Sequence, residues 1–255
     1  MARLRSQASS DLDTLWDPLR RLTAARVGLP RSGASLRTPA LLDFRLAHAQ
    51  ARDAVHAVLD MDGLQEELAE LGLPVLKSRS AAVDRHTYLV RPDLGRQLQP
   101  ASRAELQAQE GGHDLCIVIA DGLSATAAQR HAGPLARALV PALRAQGWTL
   151  APLVLLRHGR VATGDDIGQA LRSRCVVVLI GERPGLSAPD SLGAYLTWGP
   201  RVGRVDAERN CVSNIRPAGL PPAQAAGKLA QLLGRMRTLG VSGVALKDDA
   251  RPELA

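Results

Sequence analysis

The sequence has few aromatic residues, which make up 2% of the chain, and only three cysteines. The scarcity of aromatics leaves few platforms for stacking the bases of a single-stranded nucleic acid. Cys116, Cys175 and Cys211 lie far apart, with neither the spacing of a metal site nor the even count of a disulfide framework. A reduced compartment, the cytoplasm, is therefore predicted. Cys116 and Cys175 fall in apolar runs and are expected to be buried, whereas the role of Cys211 stays open.

Long apolar segments are also missing. No run approaches the roughly 18 residues of a membrane span, and the start MARLRSQASSDLD lacks the apolar centre of a secretory signal. These two features predict a soluble protein that is not exported.

The net charge is +7, and 29 of the 32 basic residues are arginines. A basic chain is a candidate for nucleic-acid binding, because clustered basic side chains neutralise phosphates. Here the arginines are spread along the chain among acidic residues, and this distribution argues against nucleic acid. Arginine is also favoured at protein interfaces, so the composition suits assembly with another protein.

The chain is predicted to have three parts. Residues 1–37 form an extension, with a helix around Leu15 to Val27 and then the turn-rich PRSGASLR. Residues 38–110 are mainly helical and begin with a helix at Thr38 and Pro39. LQEELAEL is predicted as a helix, HTYLVRP as a strand, and SRAELQAQ as a helix capped by Ser102.

Residues 111–255 alternate between apolar runs and helical patterns. DLCIVIADG, TLAPLVLLRHG and CVVVLIGERPG are predicted strands, and the segments between them are predicted helices. This order indicates a parallel sheet with right-handed crossovers, which AYLTW and CVSNI are candidates to extend. A last helix ends at Gly240. The predicted fold class is α/β, a Rossmann-like parallel-sheet domain with a mainly helical N-terminal extension.

Ligands of open parallel sheets bind beyond the carboxyl ends of the strands, and this rule selects residues 121–124, 157–161 and 181–185. The first segment is either an anion-binding turn or a capped helix start without a ligand. Neither the dinucleotide fingerprint nor the P-loop pattern is present. A hydrolase using Asp121, Ser124 and His131 is disfavoured, because DGLSA is not the G-x-S-x-G motif.

Glu182 stands at the end of the predicted strand that contains the apolar run CVVVLI. A carboxylate beside a buried strand needs a partner, since an unpaired buried charge is costly. Two interpretations stay open. One is an ion pair with an arginine such as Arg160, Arg183 or Arg201, and the other is a hydrogen-bond acceptor for a ligand.

Several motifs taken together resemble one family. RPDLGR, LIGERPGL and DAERNCVSNI lie within a stretch from about Thr38 to Asp248 that is similar to the small subunit of ethanolamine ammonia-lyase. The resemblance implies an adenosylcobalamin-dependent conversion of ethanolamine to acetaldehyde and ammonia. It also implies a large-subunit partner, a (β/α)₈ barrel that holds ethanolamine and the radical chemistry, with cobalamin held between the two subunits.

The resemblance further implies that Val161, Glu182 and Cys211 contact the cobalamin and that this chain carries no catalytic residue. The D-x-H-x-x-G motif of proteins that replace the lower base is absent, since DRHTYL has Leu89 in place of glycine. A base-on cofactor is therefore expected. By the same resemblance we expect six copies of each subunit. The N-terminal segment is either a targeting helix for a bacterial microcompartment or a docking arm.

Two other hypotheses stay open beside this one. The chain could be a structural partner that stabilises the large subunit without binding cofactor. It could also be a stand-alone Rossmann-like enzyme, which the missing glycine fingerprint disfavours.

Overall fold

The computed structural model describes residues 16–246, which fall into two units. One unit consists of residues 16–53 together with Gly185–Pro189, and the other of Ala54–Pro184 together with residues 190–246. Within the described part of the chain, no helix combines the length and apolarity needed to cross a bilayer.

The first unit contains short elements and most of one long helix. A helix of six residues, α1, has Pro18 in its first turn, where the missing amide hydrogen costs nothing. The turn-rich segment predicted as a linker forms a two-stranded hairpin, with Gly33 in the left-handed region at its turn. The elements are α1 (Asp17–Leu22), β1 (Arg31–Ser32), β2 (Ser35–Leu36) and α2 (Thr38–His56), whose last residues belong to the second unit.

The second unit is built from six strands and six further helices. The strands are β3 (Val75–Arg79), β4 (Leu115–Ala120), β5 (Leu153–Arg157), β6 (Cys175–Gly181), β7 (Leu192–Trp198) and β8 (Arg209–Ile215). The helices are α3 (Met61–Leu68), α4 (Arg85–Val90), α5 (Pro100–Gln107), α6 (Ala125–Ala145), α7 (Val161–Ala170) and α8 (Pro222–Leu239). Gly240 adopts a left-handed conformation and ends α8, as predicted.

These strands form one mixed sheet in the order β3-β5-β4-β6-β7-β8. The neighbours among β3, β5, β4 and β6 are parallel, whereas β7 pairs antiparallel with β6 and β8 antiparallel with β7. The predicted strands around DLCIVIADG, TLAPLVLLRHG and CVVVLIGERPG are confirmed, and so is the extension of the sheet by AYLTW and CVSNI. The expectation of a purely parallel sheet is corrected, because β6, β7 and β8 follow one another without a helical crossover.

The sheet is covered on both faces. Side chains that alternate along β4, β5 and β6 pack on one side with α3, α6 and α8. Those in between, including Val118, Val154 and Val178, pack on the other side with Leu106 of α5 and Ile167 of α7. Both-face burial explains why these three strands read as continuous apolar runs rather than as alternating patterns.

The prediction of a strand at HTYLVRP is wrong, because residues Arg85–Val90 form helix α4. Its β-branched and aromatic residues favour a strand, but Asp84 caps the helix by accepting a hydrogen bond from the Thr87 amide at 2.7 Å. The helix at SRAELQAQ is confirmed and its cap is not. The helix starts at Pro100, and the Ser102 hydroxyl accepts a hydrogen bond from the Arg79 amide at 3.2 Å.

Candidate functional site

A cleft of about 420 Å³ opens where the carboxyl ends of β4 and β6 meet the start of α7. Its walls include Val161 and Glu182, two of the three residues selected from the sequence. The first selected segment contributes Leu123. The three strand ends chosen by the crevice rule therefore converge, and the lining residues are Tyr88, Leu123, Arg160, Val161, Ile180, Gly181, Glu182, Arg183 and Tyr195.

Glu182 follows directly after β6, and its amide donates a hydrogen bond to the Ser191 carbonyl at 2.9 Å. Only one oxygen of its carboxylate forms hydrogen bonds with the described residues. This oxygen, Oε2, accepts hydrogen bonds from the Ser191 hydroxyl and from the Asn214 amide, the latter at 3.3 Å. Within residues 16–246 the carboxylate forms no ion pair. Glu182 is therefore not paired with Arg160, Arg183 or Arg201, and Oε1 is left without a hydrogen-bond donor from the described residues.

Val161 is the first residue of α7, and it packs against the apolar cluster on the α7 face of the sheet. The residue before it is fixed at several points. The Arg160 amide donates to the Gly95 carbonyl at 2.8 Å, and its side chain donates to the Tyr88 carbonyl at 3.0 Å. The Arg160 guanidinium also lies over the Tyr88 ring, 4.7 Å from its centre. These contacts hold Val161 in place as part of an apolar wall with Leu123 and Ile180.

Cys211 does not line the cleft itself. It is exposed on β8 and pairs directly across the sheet with Tyr195, which does line the cleft. Although the residue is exposed, partial burial of its thiol raises the pKa of Cys211, and the carboxylate of Glu182 raises it further. Burial and the neighbouring Cys211 raise the pKa of Tyr195 in the same way. Both side chains are therefore uncharged at neutral pH.

Asp121 organises the loop that joins β5 to α7. Its carboxylate accepts hydrogen bonds from the amides of His158 at 3.0 Å and Gly159 at 3.3 Å, with Arg85 at 3.8 Å. Burial raises the pKa of Asp121 and lowers the pKa of His158. His158 has a positive φ of 57°, a strained conformation that the two hydrogen bonds to Asp121 stabilise.

The hydrolase arrangement considered from the sequence is not assembled. The Ser124 hydroxyl caps α6 by accepting a hydrogen bond from the Ala127 amide at 3.2 Å, while His131 faces Asp190 at 3.2 Å. The Leu123 amide donates to the Gly181 carbonyl at 2.9 Å. The structure thus favours a capped helix start over an anion-binding turn. In the described part of the chain no three His, Cys, Asp or Glu side chains are grouped as a metal site.

Sequence reasoning missed two residues of the cleft, Tyr88 and Tyr195. Tyr88 lay in the segment misassigned as a strand. Arg160 lay inside the selected segment 157–161, but its only individual role was that of a candidate ion-pair partner. The motif AYLTW, which contains Tyr195, was assigned to the sheet without a role in a site. The position of Tyr195 near Glu182 and Cys211 depends on the register of β6, β7 and β8, which the sequence does not specify.

The fold and the cleft define a mixed α/β protein with a partly apolar cleft at the carboxyl ends of parallel strands. Residues 13–247 match the model of the family described as ethanolamine ammonia-lyase light chain (EutC). The chain belongs to this family and is a subunit of a lyase, so the resemblance drawn from the motifs is confirmed.

Individual relatives are similar over nearly the whole chain. An ethanolamine ammonia-lyase small subunit of Azotobacter vinelandii is 55% identical over 249 residues, which cover 96% of this chain and 92% of the relative. Those of Pseudomonas fluorescens and Xanthomonas campestris are 51% and 52% identical, with 94% of this chain covered in both cases. The matches cover 88% and 90% of these two relatives.

Proposed function

We propose that this chain supplies one wall of an adenosylcobalamin site that it shares with the large subunit of ethanolamine ammonia-lyase. The proposal rests on Glu182, whose Oε1 has no hydrogen-bond donor among the described residues although it lines a partly apolar cleft. An unused carboxylate oxygen beside apolar side chains suits a ligand that presents an N–H group at the edge of an apolar surface.

Cobalamin has this character, because its corrin is a broad and largely apolar disc fringed with amide groups. Val161, Leu123 and Ile180 would contact the disc, and Glu182 would accept a hydrogen bond from an amide at its rim. Cys211 and Tyr195 would pack against the neighbouring part of the cofactor, and their raised pKa values keep them uncharged there. The residues present therefore fit the group.

The bound cofactor, in its base-on form, supplies the radical that begins the conversion of ethanolamine to acetaldehyde and ammonia. The residues of this chain bind and orient it and exclude water, and none of them is assigned a catalytic role. We propose that ethanolamine binds in the large subunit, a (β/α)₈ barrel, and that six copies of each subunit assemble. We also propose that residues 111–255 form a Rossmann-like domain and that residues 38–110 and 1–37 are separate parts of the chain.

The proposed location is the cytoplasm, with packaging in a bacterial microcompartment as a further prediction for residues 1–37. We propose no nucleic-acid or membrane partner. The alternative is a structural partner that stabilises the large subunit and binds no cofactor. Cobalamin would then raise the melting temperature of the complex equally whether or not Glu182 is substituted, since a ligand stabilises a protein through the site that binds it.

The first test compares deamination of ethanolamine by this chain, by the large subunit, and by the two mixed, each with adenosylcobalamin. Activity is expected only in the mixture. In the mixed enzyme, Glu182→Ala should weaken cofactor binding by roughly 10- to 150-fold, the equivalent of a lost hydrogen bond to a charged group. The KM for ethanolamine should stay near the wild-type value.

Glu66→Ala is the matched control, because Glu66 is an exposed carboxylate on α3, which packs on the opposite face of the sheet. Unchanged cofactor affinity in Glu182→Ala would contradict the assignment of Glu182. Deamination by this chain alone would contradict the division of labour between the two subunits.

A further inference from the structure

A buried ion pair lies directly behind the cleft. Nη1 of Arg209 donates to both carboxylate oxygens of Asp165, at 2.7 and 2.6 Å, and the side chains are only 3% and 2% exposed. Nη1 also lies 3.3 Å from the Thr197 hydroxyl, and Nη2 donates to the Arg204 carbonyl at 2.8 Å. Burial raises the pKa of Asp165, and the guanidinium of Arg209 opposes that rise.

Stability alone does not account for such a pair. Two charges lose their hydration on burial, and replacing a buried pair by well-packed apolar residues is often neutral or stabilising. Removing one partner is costly, because the other charge then stays buried without compensation. The pair joins two separate elements of the fold, helix α7 and strand β8.

Those two elements carry residues of the cleft region. Asp165 lies four residues after Val161, so both side chains project from the same side of α7. Arg209 lies two residues before Cys211, so both project from the same face of β8. The cross-strand pairs Thr197–Arg209 and Tyr195–Cys211 follow one another along β7 and β8. Along the strands, the ion pair therefore lies next to the position occupied by Val161, Tyr195 and Cys211.

Other contacts fix α7 in a different direction. A β-carbon on Gly164 would lie 2.1 Å from Cγ2 of Val178 on β6, and one on Gly168 would lie 2.6 Å from Cγ of Pro200, just after β7. These glycines let the helix approach β6 and the segment that follows β7 closely. The direct link from the helix to β8 is made by Asp165 and Arg209.

We propose that the Asp165–Arg209 ion pair is a positioning device that sets the separation between two residues of the cleft wall, Val161 and Tyr195, the latter through its cross-strand neighbour Cys211 on β8. This inference rests on the proposed cobalamin site. Neither residue touches the cofactor, and the pair acts through the elements that do.

The test measures cofactor affinity and thermal stability separately in the assembled large and small subunits. The dissociation constant of adenosylcobalamin is obtained by titration of its visible absorbance, and the melting temperature is measured without cofactor. Asp165→Asn should lower the melting temperature and weaken binding roughly tenfold, about the effect of one lost hydrogen bond. The double variant Asp165→Leu with Arg209→Met should recover much of the stability but not the affinity.

Asp166→Asn is the matched control. Asp166 is the next residue of α7 and is equally buried, but its carboxylate bonds the Leu98 amide at 3.1 Å and the Arg103 guanidinium, away from the cleft. This variant should lower the melting temperature and leave cofactor affinity unchanged. If Asp165→Asn and the double variant both fail to fold, Thr197→Val removes a hydroxyl that contacts both Arg209, at 3.3 Å, and Asp165, and it should weaken binding by a few-fold.

The positioning role is overturned if the best-folded variant among Asp165→Asn, the double variant and Thr197→Val binds cofactor as tightly as wild type. It is also overturned if Asp166→Asn weakens binding as much as Asp165→Asn. Glu182→Ala in the same titration separates the two proposals. If Glu182→Ala weakens binding and the ion-pair variants do not, the site stands and the positioning role fails. If Glu182→Ala also has no effect, the proposed cobalamin site itself fails.

Discussion

The carboxylate of Glu182 lies over Gly193 on the neighbouring strand, where a β-carbon would stand 2.9 Å from Oε1. The two residues are on one face of the sheet, since Gly193 pairs with Ile180 and Glu182 lies two residues further along the same chain. Glycine at this position therefore leaves room for the oxygen that the protein itself does not use. The sheet therefore shapes the site partly through the absence of a side chain at Gly193.

Gly193→Ala is expected to displace the Glu182 carboxylate and weaken cobalamin binding by roughly tenfold, the equivalent of about 1.4 kcal/mol. The hydrogen bonds from Ser191 and Asn214 to Oε2 would be strained at the same time. The measurement is a cofactor titration of the variant in complex with the large subunit, together with its melting temperature.

Gly227→Ala is the control for this glycine. Gly227 is exposed on α8, and a β-carbon there meets nothing within 4 Å. Alanine in a helix interior is favoured over glycine by about 0.5–1 kcal/mol, so this variant should melt at a higher temperature and bind cofactor normally. Tight binding by Gly193→Ala would contradict the role given to the free oxygen of Glu182.

The parts of the fold predicted well were those with strong local signals. Strands β4, β5 and β6 are continuous apolar runs because both faces of the sheet are covered. Strand β3 was not predicted. It is the edge strand VLKSR, which mixes buried and exposed positions and includes a lysine and an arginine. At an edge the local pattern is weak, and pairing with β5 decides the conformation.

The candidate site divides in a similar way. Glu182 directly follows strand β6, and Val161 begins the helix that comes after strand β5. The rule that ligands bind beyond the carboxyl ends of strands therefore selected both segments from the sequence. Cys211 was selected through the family resemblance alone, because its place near the cleft depends on pairing with Tyr195 on β7. The Asp165–Arg209 pair joins residues 44 positions apart in the chain, and no spacing rule connects them.

The three cysteines should differ in reactivity in the native full chain. Cys116 and Cys175 are buried, and burial raises the pKa of Cys116 to about 12. Cys211 is exposed with a raised pKa, so less of it is thiolate at pH 8 than in a free cysteine of pKa about 8.5. A thiol-specific reagent should label one cysteine slowly in native protein, faster as the pH rises, and three in denaturant.

Cys211→Ser supplies the control for this labelling experiment, since it should remove the native signal and leave two reactive thiols after denaturation. Rapid labelling of all three cysteines in native protein would contradict the burial of Cys116 and Cys175. Labelling of Cys211 at the rate of a free cysteine or faster would contradict its raised pKa.

Asp114 provides a prediction on acid stability. Burial raises its pKa, but hydrogen bonds from Thr149, at 3.1 Å from the amide and 2.9 Å from the hydroxyl, together with the Arg174 guanidinium, outweigh burial and lower the pKa overall. A lowered folded-state pKa means that the ionised form is favoured by folding. Its contribution to stability is present above the unfolded-state pKa of about 3.9 and is lost as the pH falls through the folded-state value. Asp114→Asn should therefore lower the melting temperature at pH 7 and at pH 5 by a similar amount, and the difference from wild type should shrink as the pH falls below about 4. Thermal unfolding of the full chain at pH 7, 5, 4 and 3 measures this.

Asp43→Asn, at an exposed position on α2, is the control and should show a small difference in melting temperature that does not vary with pH in this way. A difference for Asp114→Asn that stayed constant or grew between pH 5 and pH 3 would show that the lowered pKa does not contribute to folding.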